Sequence, residues 1–256
     1  MSTLLSDLEL LAIQAEGSFD HAGRILDRYG VTVACARDRQ ALWIGADVPD
    51  ELAAELTSAF HRTARAAEPR QPPPALEPCR RILEAGGRSV ECTAGPSYVF
   101  PDGARFTSTV RIERSDASNG AALRHINPGN WDPVEWDELL DGRLGPWAIA
   151  VEDDRAVSIC HTPGPVTARG AECGVWTMQT YRGRGHAAAT TSAWAAILRP
   201  SGRHLFYATD ADNRSSQLVA SRLGLREIGW TWRVSLPRAG GGSALHPLSA
   251  VRRPRS

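Results

Sequence analysis

The sequence predicts a mixed α/β fold, and three stretches of its second half carry that prediction. Residues 173–178 are β-branched, aromatic and apolar, as in a buried strand, and a glycine-rich turn separates them from a helical stretch over 187–198. Residues 205–209 predict another buried strand, followed by a helix that ends at Gly224. Residues 147–161 hold two apolar runs around a charged turn, which is typical of a β-hairpin.

The N-terminal half predicts a further α/β region, without a motif that indicates a function. Stretches with helical periodicity alternate there with short apolar runs of the kind found in strands. The predicted elements are helices over 4–15, 19–29, 49–66 and 76–85, a hairpin over 31–46, a proline-rich connector over 68–78 and a strand over 89–100.

Charge and composition exclude several classes of function. The formal net charge of the 256 residues is zero, which argues against binding to duplex nucleic acid or to an anionic membrane surface. No apolar run approaches the length of a membrane span, and residues 1–17 lack the pattern of a signal peptide. The five cysteines form no Cys-x-x-Cys pair, and no histidine cluster has the spacing of metal ligands. We therefore expect a cytoplasmic protein that binds no metal, membrane or nucleic acid.

The glycine-rich turn between the predicted strand and helix has the features of an anion site. The first N–H groups of a helix have no partner within it, and the helix dipole adds positive potential at the same end. Gly183 and Gly185 let the backbone approach a bulky group closely, while Arg182 and Arg184 add charged donors. The turn lacks both the Gly-Lys-Ser/Thr of a Walker loop and the third glycine of a dinucleotide fingerprint.

Two motifs resemble those of one enzyme superfamily. Arg182-x-x-Gly185-x-Ala187, directly after a strand, resembles the pyrophosphate loop of the GNAT superfamily of acetyl-CoA-dependent N-acetyltransferases. Asn213-x-x-Ser216 resembles the second signature of that superfamily, because it enters a helix that ends in Leu-Gly-Leu. The motifs have the order and the separation found in the superfamily, and the resemblance covers about half of the chain.

The resemblance implies a GNAT-like, mostly antiparallel central sheet with a splayed pair of parallel strands and flanking helices. It divides the chain into an N-terminal α/β region at 1–104, the acetyltransferase domain at 105–236 and a flexible tail at 237–256. The N-terminal region is then either a wall of the substrate pocket, which we favour, or a degenerate second copy of the same fold.

Acetyl-CoA is the cosubstrate that the resemblance implies, bound without a metal. The implied contacts are Val175, Trp176 and Thr177 on the central strand, the loop residues Arg182, Gly183, Arg184, Gly185, His186 and Ala187, and Asn213 and Ser216 at the following helix. The segment that borders the acceptor site in GNAT proteins holds further candidate substrate contacts, Trp131, Glu135, Trp136 and Asp137.

Acetyl transfer to an amine needs a base, a donor for the developing oxyanion and a proton for the leaving thiolate. Glu172 is the first candidate base, because several GNAT relatives carry a catalytic carboxylate on this strand and burial raises the pKa of a carboxyl group. His161 is the alternative base. Many GNAT enzymes protonate the thiolate with a tyrosine, but Ala220 occupies that position here, so Tyr207 or a water molecule is the candidate replacement.

The sequence therefore predicts an acyltransferase that moves an acetyl group from acetyl-CoA directly to a primary amine. A small-molecule amine is the expected partner, and assembly into a homodimer is left open. Two alternatives also stay open: an amine of a protein or peptide as the acceptor, and a CoA-binding regulatory module without activity, which Ala220 suggests.

Overall fold

The computed structural model describes residues 5–65, 68–85, 89–103, 106 and 110–235. The helices are α1 (Asp7–Ala15), α2 (Asp50–Thr63), α3 (Leu76–Glu84), α4 (Pro133–Leu140), α5 (His186–Leu198) and α6 (Arg214–Arg222). The strands are β1 (Tyr29–Cys35), β2 (Gln40–Ile44), β3 (Glu91–Val99), β4 (Ile112–Arg114), β5 (Trp147–Glu152), β6 (Arg155–His161), β7 (Gly170–Thr177), β8 (His204–Ala208) and β9 (Arg226–Ser235). The chain forms two compact units, the first from described residues within 5–98, 208–214 and 227–235, and the second from those within 99–207 and 215–226.

The first unit orders its strands β2-β1-β9-β3, and β1 runs antiparallel to both β2 and β9. Val31, Val33 and Cys35 alternate along β1, so they share one face, where they pack with buried residues of α2 and α3. The predicted hairpin and the predicted helix over 76–85 are confirmed.

Two glycines of the first unit lie where the backbone passes close to a neighbouring strand. A Cβ atom at Gly45 would lie 2.1 Å from the carbonyl oxygen of Tyr29. Gly229 has a φ of 143°, and a Cβ atom there would lie 2.3 Å from the carbonyl oxygen of Cys35. Neither position has room for a side chain, since such separations are far inside van der Waals contact.

The helix predicted over 19–29 is wrong. Asp20 Oδ1 instead accepts hydrogen bonds from the backbone N–H groups of Ala22 and Arg24, at 2.9 and 2.8 Å. Aspartate side chains that bond the following backbone compete with helical hydrogen bonding, and here the turn is favoured over the helix. Ile25 then forms isolated bridges, one to Phe19 and one to Gly45. The tail predicted over 237–256 lies outside the described residues.

The second unit orders its strands β8-β7-β6-β5-β4. β7 pairs parallel with β8, whereas the β6–β7, β5–β6 and β4–β5 pairs are antiparallel. The predicted fold class, a mixed and mostly antiparallel sheet with one parallel strand pair and flanking helices, is confirmed for this unit.

The two faces of this sheet are covered by different elements. On one face Ser158 of β6 lies against α5, with its Oγ 3.3 Å from the hydroxyl oxygen of Thr190. Neighbouring residues of a strand point to opposite faces, so Ile159 points away from α5. It packs there in a cluster with Trp136 and Leu139 of α4 and with a 3₁₀ helix at Gly120–Ile126.

Candidate active site

β7 changes its pairing partner halfway along its length. Residues Gly170 to Cys173 pair with β8, and residues Gly174 to Thr177 pair with β6. The last pair with β8 joins Cys173 to Tyr207. The first four residues of β7 are buried and the last four are partly exposed. The strand pair therefore splays after Cys173, as the resemblance implied.

The splayed half of β7 directs backbone groups toward the edge that β8 has left. The N–H of Met178 donates to the carbonyl of Val157 on the β6 side, at 2.8 Å. Backbone groups alternate in direction along a strand, so Val175 and Thr177 turn their N–H and C=O groups to the opposite side. Arg182 Nε donates to the Thr177 carbonyl at 3.3 Å, which draws the following loop against this edge.

The loop after β7 enters α5 through a left-handed glycine. Gly185 is the N-cap of α5 with a φ of 92°, and Gly183 has a φ of 80°, a conformation that other residues rarely adopt. A Cβ atom at Gly183 would meet no described atom within 4 Å, so the loop is open there. The 13-residue α5 points its unpaired N–H groups and the positive end of its dipole at this loop.

Side chains of the loop make contacts within the protein. The Arg184 guanidinium lies 4.9 Å from the centre of the Tyr181 ring. Arg184 Nη1 is 3.9 Å from Glu152 Oε2, and Nε2 of the buried His186 is 3.4 Å from Glu152 Oε1. Sequence reasoning missed Glu152, because a carboxylate next to a predicted hairpin turn carries no sign of a contact with a distant loop.

The two candidate bases lie on the face of the sheet opposite α5. Glu172, Gly174 and Trp176 alternate along β7, so they point to the same side. His161 on β6 lies directly opposite Gly174, and Trp147 on β5 lies directly opposite His161, so both share that side. Glu172 and His161 are both largely buried. The structure therefore brings the two predicted bases to one face.

The ring of Trp131 contacts His161 on this face. The Trp131 ring meets the imidazole edge-on, with 5.1 Å between the ring centres, and lies 6.1 Å from the ring of Trp136. Trp131 and Trp176 are partly exposed, whereas Trp136 is fully buried. We call the surface formed by Trp131, Trp176, His161 and Glu172 the tryptophan face.

His161 is 6% exposed, and neither ring nitrogen makes a hydrogen bond to a residue that the structure describes. Burial lowers the pKa of His161 to about 4, and the nearby backbone of Thr162 offsets only a part of that effect. The imidazole is therefore neutral at pH 7. A buried polar group without a partner is costly to a fold, so a ligand that hydrogen-bonds to it is favoured at this position.

Tyr207 and Ser216 lie together at the other side of the splayed pair. Tyr207 points from β8 to the face that α5 covers, since it pairs with Cys173, and its hydroxyl hydrogen-bonds to Ser216 Oγ in the first turn of α6. Ala220, one turn further along α6, is fully buried. Asn213 belongs to the first unit, where its N–H donates to the Asp210 carbonyl at 3.1 Å.

Among the residues that the structure describes, no three His, Cys, Asp or Glu side chains converge as metal ligands do. None of the helices described above combines the length and apolar character that crossing a bilayer requires.

Comparison with protein families identifies a match over the residues that form this site. Residues 102–226 match the family of the acetyltransferase (GNAT) domain. No curated protein matches the chain.

Solved structures include similar proteins at low identity. A GNAT-family acetyltransferase from Colwellia psychrerythraea is 8% identical, with 86% of this chain and 80% of that protein covered and a TM-score of 0.48. A putative GNAT acetyltransferase from Novosphingobium aromaticivorans is 22% identical over 58% of this chain and 67% of its own, with a TM-score of 0.43. A putative acetyltransferase from Salmonella typhimurium, solved with acetyl-CoA, is 15% identical over 54% of this chain and 100% of its own, with a TM-score of 0.37.

The matched residues contain β7, the glycine-rich loop, α5 and the Tyr207–Ser216 pair. The two motifs singled out in the sequence also fall within them. Residues 102–226 of this chain therefore form a domain of the GNAT superfamily of acetyltransferases.

Proposed function

We propose that this protein is a cytoplasmic N-acetyltransferase that transfers the acetyl group of acetyl-CoA directly to a primary amine of a small molecule. The observation that carries the proposal is the change of partner on β7, which leaves a backbone edge beside the positive end of α5. The amide-rich pantetheine arm suits such an edge, and a pyrophosphate suits the N-terminus of a helix.

The residues of the site fit this cosubstrate. Val175 and Thr177 turn backbone groups to the open edge, and the glycines of the loop leave room for phosphates beside Arg182 and Arg184. Ser216 would lie near the same molecule from the first turn of α6. When bound, acetyl-CoA supplies the acetyl group as an activated thioester.

The chemistry divides among three groups of the chain. Glu172 accepts the proton that the amine loses as its nitrogen bonds to the thioester carbonyl carbon. The N–H of Val175 donates to the carbonyl oxygen, on which negative charge develops. As the carbon–sulfur bond breaks, its electron pair goes to sulfur, and the Tyr207 hydroxyl, bonded to Ser216, or a water molecule donates a proton to the thiolate.

His161 is the alternative base. With a pKa of about 4 it is neutral and able to accept a proton, but it is a weak base at pH 7. We therefore prefer Glu172 for this role and assign His161 to hydrogen bonding with the acceptor.

The tryptophan face supports a small acceptor with one amine and an apolar body. Trp131 and Trp176 offer flat apolar surfaces, and burial disfavours a second positive charge beside His161. The nearby carboxylates Asp137 and Asp141 already pair with Arg124, at 3.4 and 2.6 Å. Each of these two carboxylates is therefore already paired with an arginine. A protein amine remains the alternative acceptor.

A CoA-binding module without activity is the alternative from another class. Ala220 favours it, because a fully buried methyl group occupies the position where many GNAT enzymes carry their acid. The hydroxyl of Tyr207 argues for activity, since it reaches the first turn of the same helix.

The proposal is tested by two measurements on the whole chain. Calorimetric titration with acetyl-CoA should give saturable binding, and a thiol-release assay against a panel of amines should give turnover, highest with aromatic or aliphatic monoamines. Binding without turnover on any amine, peptide amines included, would favour the inactive module. Absence of binding would refute the cosubstrate site itself.

A further inference from the structure

Glu152 is a carboxylate at the anion-binding end of α5. It is the last residue of β5 and pairs with Arg155 across the hairpin. One oxygen lies 3.4 Å from Nε2 of His186, the first residue of α5, and the other lies 3.9 Å from Nη1 of Arg184. The side chain is 34% exposed, so it combines contact with the loop and access to solvent.

The carboxylate of Glu152 lies in surroundings that favour an anion. The N-terminus of α5 contributes positive potential, and a carboxylate near such an end is stabilised. The ring of His186 is fully buried and makes no hydrogen bond to any residue in the described part of the chain, and the Glu152 carboxylate is the charged group beside it. Arg184 lies over the Tyr181 ring while it faces Glu152, so two contacts hold the guanidinium in this position.

An anionic cosubstrate needs the same groups that Glu152 contacts. Arg184 is the arginine next to the N-cap glycine, and phosphates at the end of α5 would attract it. The negative charge of Glu152 remains within the reach of those phosphates, and like charges at short range repel each other. Glu152 therefore opposes the binding that the rest of the loop favours.

We propose that Glu152 is an internal counter-ion that competes with the phosphates of the cosubstrate for Arg184 and for the end of α5. In the ligand-free protein it stabilises the loop, and in the complex it limits affinity, which favours release of CoA after the reaction. Its role is to adjust the affinity of the glycine-rich loop for the cosubstrate, without contact with the reacting atoms. This inference rests on the proposed acetyl-CoA site.

The test is calorimetric titration of Glu152→Gln with CoA and with acetyl-CoA, together with thermal melting of the ligand-free protein. The neutral amide should bind both ligands about three- to tenfold more tightly, because a repelling charge and a competitor for Arg184 are lost. The ligand-free variant should melt at a lower temperature than the wild type. A residue with a purely structural role would instead weaken affinity and stability together.

Asp154→Asn is the matched control. Asp154 lies in the turn of the same hairpin and its substitution changes the net charge equally, but its contact is with His125, at 3.3 Å. This variant should keep wild-type affinity. When Arg184 is also replaced by Gln, Glu152→Gln should no longer increase the affinity for CoA and acetyl-CoA. In the single variant, the increase in affinity should become smaller as the salt concentration rises from about 50 to about 500 mM.

Unchanged or weaker affinity in Glu152→Gln would overturn the inference, as would equal tightening in Asp154→Asn. Failure of the wild-type protein to bind CoA or acetyl-CoA is a different result, since it overturns the proposed function and the inference that depends on it.

Discussion

The two halves of β7 contribute to the site in different ways. The half paired with β8 is buried and contributes a side chain, Glu172, while the half paired with β6 is partly exposed and turns backbone groups to the open edge. In the first half the identity of one residue decides the chemistry. In the second half the path of the chain positions the N–H groups, and Trp176 is the side chain that the proposed acceptor site uses.

The largest expected effect comes from Glu172→Gln in the buried half. The amide keeps the shape of the carboxylate but cannot accept the proton of the amine, so turnover should fall by about 10²- to 10⁴-fold. Affinity for acetyl-CoA should stay unchanged, since the backbone edge is intact. Thiol release and calorimetry measure the two quantities separately.

His161→Gln provides the comparison for that experiment. If His161→Gln loses turnover while Glu172→Gln is fully active, the assignment of the base to β7 is wrong. If both variants retain activity, neither side chain of this face is the base.

The second prediction concerns stability at low pH. The unfolded chain protonates His161 below the ordinary histidine pKa of 6.5, whereas the folded protein does so only near a pKa of about 4. Protons therefore favour the unfolded state in this window, and the free energy of unfolding should fall by about 3 kcal/mol as the pH drops from 6.5 to about 4. Urea denaturation of the wild type and His161→Gln at several pH values measures the difference.

His125→Gln controls for the loss of a histidine as such, because His125 is exposed. In His125→Gln the free energy of unfolding should fall with decreasing pH as it does in the wild type. In His161→Gln the fall should be smaller, because the contribution of the buried imidazole is lost. If the free energy of unfolding fell equally with pH in all three proteins, His161 would be protonated as readily in the folded state as in the unfolded chain.

The smallest of the three effects concerns the loop that follows the exposed half. Gly185→Ala puts a Cβ atom on a residue with a φ of 92°, which costs about 1–2 kcal/mol where the conformation is kept. Relaxation of the loop should weaken acetyl-CoA binding about tenfold, measured by calorimetry. Turnover at saturating acetyl-CoA should stay near the wild-type value.

Gly202→Ala is the control for the cost of a side chain at a glycine with positive φ outside the loop. Gly202 has a φ of 71° and no described atom within 4 Å of an added Cβ atom, but it follows α5 and lies outside the loop. It should lose stability while keeping affinity. Equal losses of affinity in both variants would contradict the assignment of the loop.

The sequence was sufficient to predict the elements of the site but only some of its contacts. The strand, the glycine turn and α5 have local signals, because periodicity and glycine report the conformation of their own stretch. The contact of Glu152 with the start of α5 has no such signal, since it joins a hairpin to a loop far along the chain. The missing partner of His161, within the part of the chain that the structure describes, likewise depends on how the rings around it pack.

The wrong helix over 19–29 illustrates the same limit within a short stretch. Its apolar spacing is compatible with a helix, but Asp20 bonds to the backbone N–H groups of Ala22 and Arg24 and closes a turn. The bridge between Ile25 and Gly45 then favours an extended backbone, and pairing across the unit outweighs local propensity.

The close approaches at Gly45 and Gly229 have a consequence for genetic screens. Any side chain there would overlap a carbonyl oxygen, so a mutational scan scored by activity should find both positions as intolerant as Glu172. These glycines belong to the first unit, and such a scan would make that unit look catalytic. Scoring cellular abundance in parallel resolves this: the glycine variants should be depleted as protein, whereas Glu172 variants should accumulate normally and lack activity.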